Sequence, residues 1–146
     1  MMLRMTPEQI GEAWDLIRPY IAQALPPTLG IDAQGMTNVL YSLLAEESQL
    51  WAYYGSGEDV ERGKPIGLIM TVIMNEPVSK ARYLLIYVAR TISPSKLEDY
   101  EEALDKLRTF SEANNCSQIL AYVENDTYVR KLERVGGVKI SNLVRL

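Results

Sequence analysis

At 146 residues, with 47% hydrophobic and 23% charged residues, the chain has the composition of one ordinary globular domain, residues 1–146, long enough to bury a core. A formal net charge of −4 argues against a protein whose main work is holding nucleic acid or an anionic membrane. One cysteine, Cys116, and no histidine exclude an internal disulfide, a cysteine-cluster metal site and every nucleophile system that needs a histidine base.

The opening MMLRMTPEQ has no long apolar core of the signal-peptide kind, and no apolar run approaches the roughly 20 residues that span a bilayer, so a cytoplasmic, reduced setting is expected. Met1 to Met5 reads as a short first strand. Thr6 then has the character of a helix N-cap, with Pro7 at the first helical position and Gln9 closing a capping box. Ile10, Ala13, Trp14, Ile17 and Ile21 follow at helical spacing, with Pro19 expected to break or kink the run. Pro26, Pro27 and Gly30 mark a loop, and a second helix is predicted from about Met36 to Glu46.

The period then changes. Strands are predicted at Leu50 to Tyr54, Ile66 to Met74 and Arg82 to Thr91, joined by the polar segments 55–64 and 75–81 as an antiparallel meander. Apolar residues at 97, 100, 103, 104, 107 and 110 give an amphipathic helix. Gln118 to Glu124 reads as a strand, Asp126 to Val135 as a short helix ended by Gly136 and Gly137, and Val138 to Leu146 as a closing strand. The order is β-α-α-β-β-β-α-β-α-β, an α+β fold on a mixed sheet. Its strand–helix–strand unit at 82–124 forms a right-handed parallel pair, and sheets of this kind bind ligands where neighbouring strands diverge.

This order resembles the GNAT acyltransferases, and the segment 125-NDTYVRKLERVGGV-138 resembles the family pattern of an asparagine, a short helix and a glycine before the last strand, with Asn125 and Gly136 on those positions. The resemblance implies acetyl-CoA as cofactor, an acyl-CoA and an amine acceptor as partners, and direct attack of the amine on the thioester. It places the pantetheine arm between splayed strands and the pyrophosphate at the strand–helix junction. The cofactor residues implied are Val88, Arg90, Ser93, Ser95, Lys96 and Asn125. Two family signatures are altered. The glycine-rich phosphate loop is replaced by 90-RTISPSKLE-98, in which Ser95 and Glu98 read as a capping box and Glu98 and Asp99 put negative charge where an anion would sit. The tyrosine that protonates the leaving thiolate in many members is replaced by Leu132, one helical turn after Tyr128. Tyr128 is therefore the candidate acid and Glu124 the candidate base, with Glu47 a weaker one. Ordinary packing suits Tyr83, Tyr87 and Tyr128 as well, and Asn125 needs no ligand to cap a helix. A more particular resemblance, to GNAT-like proteins of tailed bacteriophages that lack the glycine loop, implies the alternative of a catalytically inactive binding or structural module associated with a virion.

Overall fold

The structure, a computed structural model, describes residues 1–25, 32–55, 64–123, 125–141, 144 and 146. Helix α1 (Pro7–Ala24) starts as its sequence dictates: Thr6 Oγ1 accepts from the Gln9 amide at 3.2 Å, and Gln9 Oε1 accepts from the Thr6 amide at 2.9 Å. Pro19 does not break it. Asp15 and Pro19 both lie on the exposed face, where the carbonyl that proline leaves unpaired need not be buried, while Ile10, Ile17 and Ile21 anchor the opposite face. Helix α2 (Ala33–Leu44) begins three residues earlier than its apolar pattern suggests, because the Asp32 carboxylate accepts from the Gly35 amide at 2.8 Å.

Among the described residues five strands form one sheet in the order β1 (Met2–Arg4), β2 (Ser48–Tyr53), β3 (Gly67–Asn75), β4 (Arg82–Thr91) and β5 (Gln118–Ala121). The first four are antiparallel neighbours, and β5 lies parallel to β4 after the crossover helix α3 (Leu97–Ala113). The sheet is covered on both faces. Ile10, Ile17, Ile21, Met36 and Leu43 of α1 and α2 pack on Leu50, Leu68, Met70 and Val88. On the other face Ala103 and Leu107 of α3 pack on Trp51, Leu84 and Ile86.

Strand β4 carries an extra residue. Met70 opposes Val88 and Thr71 opposes Ile86, so Tyr87 has no partner on β3 and forms a β-bulge. The bulge reverses the alternation. Ile86 faces α3, yet Val88, two residues on, faces α1 and α2. On the α3 side of the sheet Thr71 is held by a buried chain in which Trp51 Nε1 donates to Thr71 Oγ1 at 3.0 Å and Thr71 Oγ1 donates to Gln49 Oε1 at 2.8 Å.

Helix α4 (Asp126–Arg134) is capped at its start by Asn125, whose side chain accepts from the Tyr128 amide at 2.9 Å. At its end Gly137 donates to the Leu132 carbonyl at 2.8 Å and Gly136 to Glu133 at 3.1 Å, with Gly136 at φ +96°. A side chain on Gly137 would put its Cβ 2.9 Å from the Leu132 oxygen, and Gly136 has a positive φ, so this helix exit demands both glycines. The closing strand expected at Val138 to Leu146 is not formed in the described part of that segment: residues 138–141, 144 and 146 are outside the sheet, and Val138, Ile140 and Val144 are 81%, 71% and 71% exposed. Their alternating pattern suits a strand, but β5 presents only four residues of edge to pair with. No helix among the described residues is long and apolar enough to cross a membrane.

Replacing Thr71 by Val keeps the shape of the site but strands the Trp51 N–H and the Gln49 carbonyl. We expect a loss of about 2–4 kcal/mol in urea unfolding, since each buried group left unpaired costs roughly 1–3 kcal/mol. A loss below about 0.5 kcal/mol would mean that this chain does not hold the strand opposite the bulge.

Candidate active site

Strands β4 and β5 part company at the bulge. They are paired from Tyr83 with Gln118 to Ile86 with Ala121, and the last bond between them runs from the Tyr122 amide to the Ile86 carbonyl at 3.2 Å. Beyond it no further pairing joins the two among the described residues, and Tyr87 meets Tyr122 edge to face, 6.0 Å between ring centres. Burial, with Tyr122 close by, pushes the Tyr87 phenol above its ordinary value.

A cavity of about 300 Å³ opens in this fork. Its walls come from both faces of the sheet: Ala24 and Leu68 on the α1 side, Ile86, Ala103 and Leu107 on the α3 side. It therefore passes through the sheet between β4 and β5 rather than lying on one surface. Tyr100 of α3 and Tyr128 and Leu132 of α4 complete the α3 side. Lys131 sits over the Tyr100 and Tyr128 rings, at 5.5 and 5.4 Å from their centres, with Nζ 3.5 Å from Tyr100 Oη. Burial alone would raise the Tyr100 phenol, but hydrogen bonds with Ser95 and Thr91 and the Lys131 charge together bring it below the ordinary value. Lower in the same wall, Tyr53 Oη lies 2.8 Å from both Asp99 Oδ1 and Glu102 Oε2. Burial first, and then those two bonds, raise the Tyr53 phenol; the Tyr53 hydroxyl in turn holds Glu102 below its ordinary value.

The structure superimposes over 100% of its length on several solved acetyltransferases. An aminoglycoside acetyltransferase from an uncultured soil metagenomic sample matches with a TM-score of 0.70 at 11% identity, covering 96% of that chain. A ribosomal-protein-alanine N-acetyltransferase from Brucella melitensis matches at 0.64 and 16% identity, covering 99% of that chain, and a GNAT family acetyltransferase from Staphylococcus aureus at 0.64 and 16%, covering 96%. The chain has the GNAT acetyltransferase fold. No protein-family model and no curated protein matches the sequence.

Within that fold the residues singled out from sequence fall into separate places. Asn125 and Tyr128 line the cavity, as does Leu132 at the position where the resemblance expects tyrosine. Ser95 also lines it, but its hydroxyl bonds Tyr100 rather than a helix amide. The expected capping box of Ser95 and Glu98 is displaced by one residue. Lys96 is the N-cap, and its amide donates to Asp99 Oδ2 at 2.7 Å, while Glu98 is exposed. The shift follows from Asp99 also holding Tyr53 Oη, which ties the start of α3 to the end of β2. The Ser93 amide donates to the Ile66 carbonyl at 3.2 Å. Lys96 is exposed, Val88 is buried in the α1 face of the core, and Glu47 is exposed beyond α2. Glu124 lies outside the described residues.

Arg90 lies on the α1 side of the sheet. It opposes Leu68, a core residue of the α1 face, and its Nη2 donates to Gln23 Oε1 of α1 at 3.1 Å. Strict alternation from Ile86 would have put it beside Ser95 on the α3 face. Tyr100, Lys131, Gln23 and Tyr122 were not singled out from sequence. Tyr100 counts there only as an apolar position of an amphipathic helix, and nothing local marks Tyr87 as a bulge.

Because the Lys131 cation favours the phenolate, Lys131→Met should raise the Tyr100 pKa. In an alkaline ultraviolet titration, Tyr100→Phe should remove the most acidic phenol step and Lys131→Met should move that step upward. An unchanged profile in both variants would contradict the cluster.

Proposed function

We propose that the chain is an acyl-CoA-dependent N-acyltransferase, working in a cytoplasmic setting, that binds acetyl-CoA through the fork between β4 and β5. The observation that carries this reading is the cavity that passes through the sheet at the Tyr87 bulge. A largely apolar cavity lined from both faces of the sheet suits a thioester arm on one side and an amine on the other. The free strand ends beyond Ile86 and Ala121 supply amides and carbonyls for the pantetheine arm, with Val88 and Asn125 beside it. Ser93, Ser95 and Lys96 lead to the pyrophosphate.

Attack by a neutral amine on the thioester carbonyl forms a C–N bond and a tetrahedral oxyanion. Collapse breaks the C–S bond, the amine proton leaves to a base, and the thiolate takes a proton. Catalysis in such a site rests chiefly on positioning and on donors to the oxyanion. Tyr128, in the cavity wall under the Lys131 charge, is the group we assign to protonate the thiolate. Glu124, adjacent in sequence to the cavity residues Val123 and Asn125, is the base assigned from sequence position.

A second reading has one observation in its favour. The Lys96 amide at the start of α3 is already taken by Asp99 and the Ser93 amide by Ile66, and Asp99 puts a negative charge where a pyrophosphate would approach. That arrangement suits a binding or structural module, such as a virion-associated protein of a bacteriophage, in which the cleft holds no nucleotide.

Calorimetry with acetyl-CoA separates the two. Micromolar binding, with a melting temperature raised on the order of 5–10 °C at about 100 times the dissociation constant, is the expected result. Silence at millimolar acetyl-CoA would leave the module reading. If binding is found, Tyr128→Phe should lower turnover by about 10²–10⁴-fold while leaving acetyl-CoA affinity nearly unchanged. Full turnover in that variant would remove Tyr128 as the acid.

A further inference from the structure

Arg90 stands apart from the other residues around the cavity. Among the described lining residues it is the only cation, and Asp99 is the only anion. Both oxygens of Asp99 are engaged, one by Tyr53 Oη and the other by the Lys96 amide. Arg90 is not so satisfied. Its Nη2 holds Gln23, but Nε is fully buried with no hydrogen-bond partner among the described residues. A guanidinium carries five N–H donors in a planar fork, and its buried edge calls for an acceptor. Leaving such a donor unpaired costs free energy that an incoming oxyanion would recover.

The bulge decides on which side of the sheet this donor lies. By reversing the alternation at Tyr87 it turns Arg90 onto the α1 side, opposite Leu68 and beside Gln23, away from the Ser95–Tyr100–Lys131 cluster on the α3 side. We propose that Arg90, oriented by Gln23, is an anion-recognition site in the α1-side half of the cavity, and that the amine acceptor it selects carries a carboxylate. The guanidinium edge, Nε–H together with the remaining N–H of Nη2, matches the two oxygens of a carboxylate, and the apolar wall of Ala24 and Leu68 leaves room for a short methylene chain between that group and the amine. The acceptor assignment rests on the acyltransferase reading; the anion site does not.

The direct test observes the Arg90 Nε–H signal by ¹⁵N NMR in the resting protein, assigned by its loss in Arg90→Lys. Titration with 5-aminopentanoate should shift it, and butylamine, the same chain without the carboxylate, should not. A second arm measures acetyl transfer: the wild type should prefer 5-aminopentanoate over butylamine in kcat/KM by at least about tenfold, and Arg90→Gln should erase that preference. A shift of the Nε–H signal in a protein that binds no acetyl-CoA would keep the anion site and discard the transferase reading. An Nε–H signal that ignores 5-aminopentanoate, or responds equally to both amines, would overturn the proposal. So would an Arg90→Gln variant that lowers both rates alike.

Discussion

The extra residue at Tyr87 is the constraint on which the rest of this molecule depends. One unpaired residue in β4 does two things at once. It ends the pairing with β5, so that the parallel strands diverge and a cavity opens through the sheet. It also exchanges the faces of every later residue on the strand, sending Arg90 toward α1 and Thr91 toward Tyr100. The strand opposite is fixed in place by Thr71, whose hydroxyl is held on both sides by Trp51 and Gln49. A bulge costs ladder hydrogen bonds and bends the strand, and here the buried polar chain beneath it keeps the register from slipping.

The cavity has a different chemistry on each side. The α3 face gathers Ser95, Thr91, Tyr100, Tyr128 and Lys131 into one polar cluster, in which a cation lies over two phenol rings. The α1 face offers the apolar walls of Ala24 and Leu68 with the Arg90 guanidinium bonded to Gln23. Such a division suits two ligands that meet in the middle, and it is more specific than the fold, which many unrelated functions share. The start of α3 is also tied to the sheet from below, because Asp99 serves both the Lys96 amide and the Tyr53 hydroxyl. One carboxylate thereby couples a helix cap to a strand end, and any ligand that approached this helix would meet its charge.

Much of the architecture was legible because it rests on local chemistry. Thr6 with Gln9 announces the first helix, Asn125 the last one, and Gly136 with Gly137 its end, each through bonds within a few residues. The meander and the crossover follow from the change of period. What was not legible depends on distant partners. Pro19 reads as a break until its exposed face and the buried isoleucines opposite are known. Ser95 reads as a cap until Tyr53 claims Asp99 from across the sheet. The resemblance groups Arg90 with Ser95 at the pyrophosphate junction, and nothing in the sequence marks the bulge that turns Arg90 toward α1. The tail from Val138 has the pattern of a strand, yet a pattern is not a partner, and β5 offers little edge to receive it.

On the proposed reading, an acyl-CoA thioester arm lies in the fork at Tyr87. Amide chemical shifts followed by ¹H–¹⁵N NMR during titration with acetyl-CoA test it most directly. The perturbed amides should concentrate on the two strand ends, around Val88 to Thr91 and Tyr122 to Asn125, with pantetheine alone moving the same set. Saturating acetyl-CoA that leaves these amides still, or that moves a surface away from the fork, would contradict it.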